Sequence, residues 1–146
     1  MKIRPYRKSD ARDVLRLLRE LARYEKLKPP TPAAGRRLLA DIGRRIHVLM
    51  ADLNGVSAGY AIYFFTYSSF LARPTLYLED VFVQPDRRGK GVGKAFFAAL
   101  RRAAKKARCG RMEWAVLNWN LPAIKFYDAQ GARPLKEWTT YRLEPV

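Results

Sequence analysis

The chain has 146 residues, enough for one domain with its own hydrophobic core, and its 29 Lys and Arg against 13 Asp and Glu give a formal net charge of +16. Such a charge favours a polyanionic partner, namely nucleic acid, an anionic membrane surface or a phosphate-rich cofactor. A single cysteine, Cys109, excludes an internal disulfide framework, and with the lone His47 it makes a weak metal or catalytic pair, so no metal site is predicted. No apolar run approaches the ~20 residues of a membrane span, which predicts a soluble, cytoplasmic protein.

The N-terminal part of the chain carries the signals of one strand and two helices. Residues 2–6 favour a strand, and Ser9 is a candidate N-cap for an amphipathic helix that ends near Lys28, before two prolines. Thr31 and Pro32 are typical of the N-cap and first turn of a second helix.

A β-hairpin is predicted next. Residues 46–52 and 56–67 have the composition of strands and flank Asn54-Gly55, a strong tight-turn signal. With a third strand near Tyr77 they predict an antiparallel meander. Aromatic residues crowd the second arm, where they form core if buried or stack on RNA bases if exposed: Tyr60, Tyr63, Phe64, Phe65 and Tyr67.

The most informative stretch covers residues 77–95, YLEDVFVQPDRRGKGVGKA. It predicts a buried strand interrupted by Glu79 and Asp80, then a basic loop with Gly89, Gly91 and Gly93, then the start of a helix. Glycines allow close backbone approach to a ligand, and N–H groups at a helix N-terminus attract anions. The loop matches neither GxxxxGK[ST] nor GxGxxG, so it predicts an anion cradle of another type.

The C-terminal part favours a further strand, helix and strand. Residues 112–117 read as a strand, and Pro122 suits the first turn of a helix over residues 123–130 that Gly131 ends. Residues 138–143 are expected to close the sheet as its last strand.

These motifs resemble those of a known enzyme family. Arg88-x-x-Gly91-x-Gly93 is similar to the pyrophosphate-binding motif of the GNAT superfamily of N-acetyltransferases. The segments ELARYE at 20–25, YFFTY at 63–67 and NWN at 118–120, together with Phe126-Tyr127, resemble one branch of it, the diamine (spermidine/spermine) and thialysine acetyltransferases.

The resemblance implies an α/β fold of the α+β type, with residues 1–146 forming a single N-acetyltransferase domain. Its expected core is a mixed, mostly antiparallel sheet flanked by about four helices, with a β-bulge strand followed by the pyrophosphate loop and a helix. It also implies a homodimer and acetyl-CoA as cofactor. The expected cofactor contacts are Phe82, Val83, Gln84, Arg88, Gly89, Lys90, Gly91, Val92, Gly93, Lys94, Asn120 and Tyr127. Asn120 serves either the pantetheine arm or the cap of its helix.

Acetyl transfer to an amine requires a base, an acid and a stabilised oxyanion. Glu79 is the candidate base, taking the amine's proton directly or through water, although a glutamate paired with an arginine fits the same position. Tyr127 matches the family's general acid for the departing thiolate, although a tyrosine packed on the sheet also fits. The resemblance assigns Glu79 and Asp80 to substrate binding, and Asp80 faces away from Glu79 unless a bulge intervenes. Tyr24 and Glu25, at the end of the first helix, are further candidates for the wall of the substrate pocket, although an ordinary exposed helix end fits them equally well.

The favoured acceptor is the primary amine of a diamine, a polyamine or a lysine-like amino acid. Two alternatives stay open: a macromolecular amine on a protein or an aminoacyl-tRNA, and a non-catalytic module that binds nucleic acid. The chain has Ser68 and Phe70 where some diamine-specific relatives have an acid and a tryptophan, which weakens the case for long polyamines.

Overall fold

The computed structural model describes residues 1–145 and divides the chain into two compact units, Met1–Ala115 and a second from Val116 onward. The first unit contains a five-stranded sheet in the order β1-β2-β3-β4-β5. Its strands are β1 (Lys2–Pro5), β2 (His47–Leu53), β3 (Val56–Ser68), β4 (Arg73–Val83) and β5 (Arg111–Glu113). Its helices are α1 (Ala11–Tyr24), α2 (Pro32–Asp41) and α3 (Val92–Lys106), and the second unit contains α4 (Leu121–Ala129).

The sheet has the predicted mixed character. The pairs β1–β2, β2–β3 and β3–β4 are antiparallel, and only β4–β5 is parallel. Short connections join β2 to β3 and β3 to β4, and the first of them is the turn at Asn54 and Gly55, whose φ values of +53° and +77° suit a tight hairpin. The expected mixed, mostly antiparallel sheet with four helices is confirmed.

The first half of β3, residues 57–62, is buried on both of its faces. Tyr60 and Ile62 are 0% and 3% exposed and lie in the cluster that α1 covers, while Ala61 between them is fully buried on the opposite side. The α1 cluster consists of Val14, Leu17, Leu21, Val48, Met50, Tyr60, Ile62 and Phe82. Of the aromatic residues on this strand, Tyr60 is core, as one of the two sequence interpretations expected, whereas Phe65 and Tyr67 are 40% and 68% exposed and do not fit it.

Helix α1 starts later and ends earlier than the sequence signals indicated. A 3-10 turn at Lys8–Asp10 precedes it, and Asp10 rather than Ser9 accepts a hydrogen bond at its start, from the Arg7 N–H at 2.6 Å. At the other end Lys26 adopts φ +57°, and the Leu27 N–H donates to the Ala22 carbonyl at 2.9 Å. This is a Schellman cap, so the helix ends at Tyr24 before the prolines act.

The predicted last strand over residues 138–143 is wrong. The structure has no helix or strand from residue 132 to 145, and Trp138, Tyr141 and Leu143 are 74%, 91% and 92% exposed. A β-prone run whose apolar side chains are not buried has little to hold it in a sheet. The strand expected over residues 112–117 is also shorter, covering only Arg111–Glu113.

Candidate active site

The strand β4 carries a β-bulge at Glu79. Ile62 pairs with Asp80 and Tyr63 pairs with Leu78, so Glu79 is the extra residue between them. A bulge lets two successive side chains depart from strict alternation. The sequence predicts that Asp80 faces away from Glu79 unless a bulge intervenes. Because the bulge is present, strict alternation does not apply to these two residues.

The two carboxylates at the bulge have different environments. Glu79 is exposed, whereas Asp80 is partly buried and accepts a hydrogen bond from the Tyr60 hydroxyl at 3.1 Å. Burial raises the pKa of Asp80 to about 6, and the nearby negative charges of Glu79 and Glu25 contribute to the rise. The sequence predicted Glu79 as the base and Asp80 as a substrate-binding residue, and it did not reveal which of the two carboxylates is the more buried.

Tyr24 and Glu25 lie at the Schellman end of α1. Both are partly buried, and burial raises the pKa of the Glu25 carboxyl. The charge of Glu25 acts on both Asp80 and Tyr60, which places the end of α1 within electrostatic range of the bulge. The predicted substrate residues Glu25, Glu79 and Asp80 are therefore close enough for their charges to interact.

The three carboxylates at this place have no cationic partner among the residues that the structure describes. Within residues 1–145, no Lys or Arg forms an ion pair with Glu25, Glu79 or Asp80, although other acids do pair. In a chain of +16 net charge, cations are abundant. Unpaired carboxylates held near one another raise each other's pKa and attract a cation.

The glycine loop after β4 has the backbone geometry of an anion cradle. Gly89 and Gly91 have φ values of +74° and +81°, a region that other residues adopt only with strain. A Cβ on either glycine would meet no heavy atom within 4 Å, so their peptide groups border open space. Helix α3 follows at once from Val92, and its first internal hydrogen bond is from the Ala95 N–H to the Gly91 carbonyl at 3.0 Å.

The N–H groups of residues 92–94 precede that first internal bond and are oriented toward the start of the helix, where an anion is favoured. Lys90 and Lys94 are exposed beside them, and Val92 anchors the turn with 2% exposure. These residues of the predicted cofactor set fit a pyrophosphate group: Gly89, Lys90, Gly91, Val92, Gly93 and Lys94.

Two side chains tie this loop to α1. The Gln84 amide donates to the Glu20 carboxylate at 3.1 Å, and the Arg88 Nε donates to the Val83 carbonyl at 2.8 Å. The Arg88 guanidinium also lies over the rings of Tyr24 and Phe82, with its carbon 4.9 and 5.7 Å from their centroids. The loop is thus fixed to the same helix end that carries Glu25.

Beyond Tyr77, β4 has no strand partner on the side of β5. Their parallel pairing covers only Thr75–Tyr77 and Arg111–Glu113 within residues 1–145, while β4 continues to Val83. The backbone groups on that side of the bulge are therefore left outside the β4–β5 ladder.

Asn120 and Tyr127 belong to the second unit. Asn120 is buried and its side chain accepts from the Ala123 N–H at 3.4 Å, so it caps α4, one of its two expected roles. Tyr127 lies in α4 with its ring 5.8 Å from that of Phe126. Their roles toward a cofactor stay predictions.

Other candidate features lie outside these residues. A surface pocket beside the stacked rings of His47 and Tyr63, 5.0 Å apart, is lined by none of the predicted site residues. Among residues 1–145, His, Cys, Asp and Glu form no group of three that could hold a metal ion. No helix in the same range is long and apolar enough to cross a membrane.

Comparison with known proteins decides the family. The acetyltransferase (GNAT) family model matches residues 12–132. The chain belongs to the GNAT family. This GNAT is an N-acetyltransferase, as the resemblance in its sequence predicted, and the family match extends across both of its compact units.

Named relatives of this GNAT act on amino-acid amines. It is 35% identical to the thialysine N-epsilon-acetyltransferase of Sus scrofa, over 97% of this chain and 91% of the relative. It is 44% identical to the L-ornithine N5-acetyltransferase NATA1 of Arabidopsis thaliana over 88 residues, which cover 60% of this chain and 39% of the relative.

A solved structure confirms the fold. The aminoglycoside N-acetyltransferase AAC(6')-Iy in complex with CoA superposes on this GNAT with a TM-score of 0.76. The match covers 99% of this chain and 100% of the other at 24% identity, so it demonstrates the shared fold.

Proposed function

We propose that this GNAT transfers the acetyl group of acetyl-CoA to the primary amine of a small cationic acceptor, such as a lysine-like amino acid or a diamine. The observation that carries the proposal is the group of three carboxylates, Glu25, Glu79 and Asp80, which form no ion pair within residues 1–145. The names of the similar proteins, which specify thialysine and L-ornithine, support the same class of acceptor.

Long-range electrostatics make a local acidic site necessary. A cationic amine approaching a chain of +16 net charge is repelled, with screening over about 8 Å at physiological salt. Binding then depends on negative charges close to the amine. Glu25 and Asp80 supply that charge from two different elements, the end of α1 and β4.

The cofactor is proposed to bind at the glycine loop. Gly89 and Gly91 provide the left-handed backbone, the start of α3 provides N–H groups, and Lys90 and Lys94 provide positive charge. Phe82 and Val83 continue the proposed site along β4 with backbone groups that lie outside the β4–β5 ladder, and Arg88 adds a guanidinium from the loop. Acetyl-CoA supplies the acetyl group as an activated thioester when bound.

The residues that move protons are proposed as the sequence predicted. Glu79, exposed at the bulge, accepts the amine's proton directly or through a water molecule. Tyr127 holds a phenolic proton for the leaving group, and Asn120 orients the pantetheine arm in addition to capping α4. Backbone N–H groups of β4 at the bulge polarise the reacting carbonyl.

The assembly is part of the proposal. Because the family match extends over residues 12–132, we propose that the two compact units form one N-acetyltransferase domain. A homodimer and a cytoplasmic location are proposed from the sequence resemblance, and the mass of the purified protein in solution tests the first of them.

The decisive experiment measures acetyl-CoA-dependent acetylation of thialysine, L-ornithine, lysine, a diamine and an aminoacyl-tRNA. We expect turnover of at least one free amine, with a higher KM in Glu25→Gln and little change in acetyl-CoA affinity. Asp13→Asn is the matched control, since it makes the same charge change at an exposed carboxylate paired with Arg16 at 3.1 Å.

A polyanion partner predicts a different result. In that case no free amine is acetylated, and tRNA binds tightly with an affinity that falls steeply as salt rises. The binding then depends on the exposed cations of α3, which are Arg101, Arg102, Lys105 and Lys106.

A further inference from the structure

The hydroxyl of Tyr60 is a polar group inside an otherwise apolar cluster. Tyr60 is 0% exposed and packs with residues such as Leu21, Met50 and Phe82. A buried hydroxyl costs free energy unless it is hydrogen-bonded, and a phenylalanine would fill the same apolar space without that cost. The hydroxyl donates to the Asp80 Oδ2 at 3.1 Å, so its structural effect is to hold that carboxylate.

The strand register explains the contact. Tyr60 pairs with Phe82, and Ile62 pairs with Asp80, so Tyr60 reaches Asp80 diagonally across the two strands. The bulge residue Glu79 lies between the Ile62–Asp80 pair and the Tyr63–Leu78 pair. Tyr60 therefore fixes the carboxylate at the point where regular pairing stops.

Three groups influence the pKa of Asp80. The negative charges of Glu25, at the end of α1, and of Glu79, on the same strand, raise it, whereas the hydrogen bond from Tyr60 on β3 lowers it. Within residues 1–145, Tyr60 is the one hydrogen-bond donor to Asp80, and it occupies Oδ2. The second oxygen, Oδ1, is left for a donor that comes from outside the chain.

We infer that Tyr60 is a positioning residue of the acceptor site, which holds the Asp80 carboxylate so that its other oxygen binds the ammonium group of the amine. The inference rests on the proposed function and adds a buried residue that does not itself touch the substrate. It also predicts how binding depends on pH. The hydrogen bond from Tyr60 lowers the pKa of Asp80 against the effect of burial, which keeps the carboxylate ionised at neutral pH.

The test compares Tyr60→Phe with the wild type, using thialysine and L-ornithine as acceptors. We expect KM to rise about 10-fold at pH 7.5, the effect of losing a hydrogen bond to a charged group, while kcat and acetyl-CoA affinity change little. The acidic limb of kcat/KM should move to higher pH, since the carboxylate loses its stabilising donor. Tyr63→Phe on the same strand is the control and should leave the limb in place.

A double-mutant cycle separates positioning from packing. In an Asp80→Asn background, Tyr60→Phe should no longer raise KM, because the carboxylate it positions is gone. If Tyr60→Phe fails to fold, Asp80→Asn alone should show the raised KM and no acidic limb near pH 6. An unchanged KM in Asp80→Asn overturns the inference.

The failure of the inference differs from the failure of the proposed function. Turnover of a free amine with wild-type KM and pH profile in Tyr60→Phe overturns the inference alone. No turnover of any free amine by the wild type overturns both.

Discussion

Arg88 connects the proposed cofactor loop to the end of α1, where the proposed substrate residues Tyr24 and Glu25 lie, through its contact with the Tyr24 ring. The guanidinium lies 4.9 Å from the centroid of the Tyr24 ring, while its Nε donates to the Val83 carbonyl at 2.8 Å. One side chain thus contacts the end of α1 and the end of β4. The position of the positive charge beside the glycine loop depends on an aromatic ring from a different element.

Replacement of that ring should weaken cofactor binding. Tyr24→Leu removes the cation–π contact, and we expect acetyl-CoA affinity to fall roughly 2- to 5-fold. Tyr24→Phe retains the ring and should bind as the wild type does. Calorimetry of both variants provides the comparison, and tighter binding by Tyr24→Leu would mean that the ring holds Arg88 away from the cofactor.

The glycine loop gives a second prediction. Gly91→Asp places a carboxylate and a strained φ of +81° where the pyrophosphate is proposed to lie, so acetyl-CoA binding should be lost. Gly55→Asp is the control, because Gly55 has φ +77° in the β2–β3 turn and a Cβ there also meets open space. Retained affinity in a folded Gly91→Asp protein would remove the loop from the cofactor site.

The proposed acid gives a third prediction. Tyr127→Phe should lower kcat by roughly 10²-fold and leave acetyl-CoA affinity nearly unchanged, since it removes only a proton donor. Tyr141→Phe makes the same change at a side chain that is 91% exposed and should have no effect. Near wild-type turnover in Tyr127→Phe would leave that residue a packing role.

Asp80 gives a prediction about stability. Folding raises its pKa from 3.8 to about 6, so between these values the folded chain holds a proton that the unfolded chain has released. The free energy of unfolding therefore falls as pH rises through this window and does not recover above it. Asp80→Asn should be more stable than the wild type at pH 7.5, by up to about 3 kcal/mol, with the gain disappearing near pH 4.

Urea denaturation at the two pH values measures that difference. Asp13→Asn is again the reference, because its carboxylate is exposed and paired with Arg16. A wild-type protein as stable as Asp80→Asn at pH 7.5 would contradict a buried, negatively surrounded carboxylate.

The sequence predicted the order of the elements around the candidate site but not the contacts between its residues. The run from Glu79 to Lys94 predicted a strand, a glycine loop and a helix, because glycine spacing and apolar runs are local signals. The bulge depends on register with β3, which no local pattern contains. The contact of Asp80 with Tyr60 follows from that register, so the sequence did not reveal it.

Element ends were mispredicted for a related reason. The sequence offered prolines as the stop of α1, but Lys26 in the left-handed region ends the helix first. A lysine at such a cap has no sequence signal, unlike glycine or asparagine. The strand expected at residues 138–143 failed because β propensity reports suitability for a half-buried surface, and these side chains are exposed.

The bulge at Glu79 also bears on strand addition. Past Tyr77 the backbone groups of β4 on the β5 side lie outside the ladder, and unpaired strand edges are where chains commonly begin to aggregate. An extra residue breaks the even spacing that such pairing requires and increases the local twist. Two adjacent carboxylates at the same point add like-charge repulsion between copies. We therefore expect the irregularity that shapes the site to disfavour the addition of a strand from another copy along this part of β4.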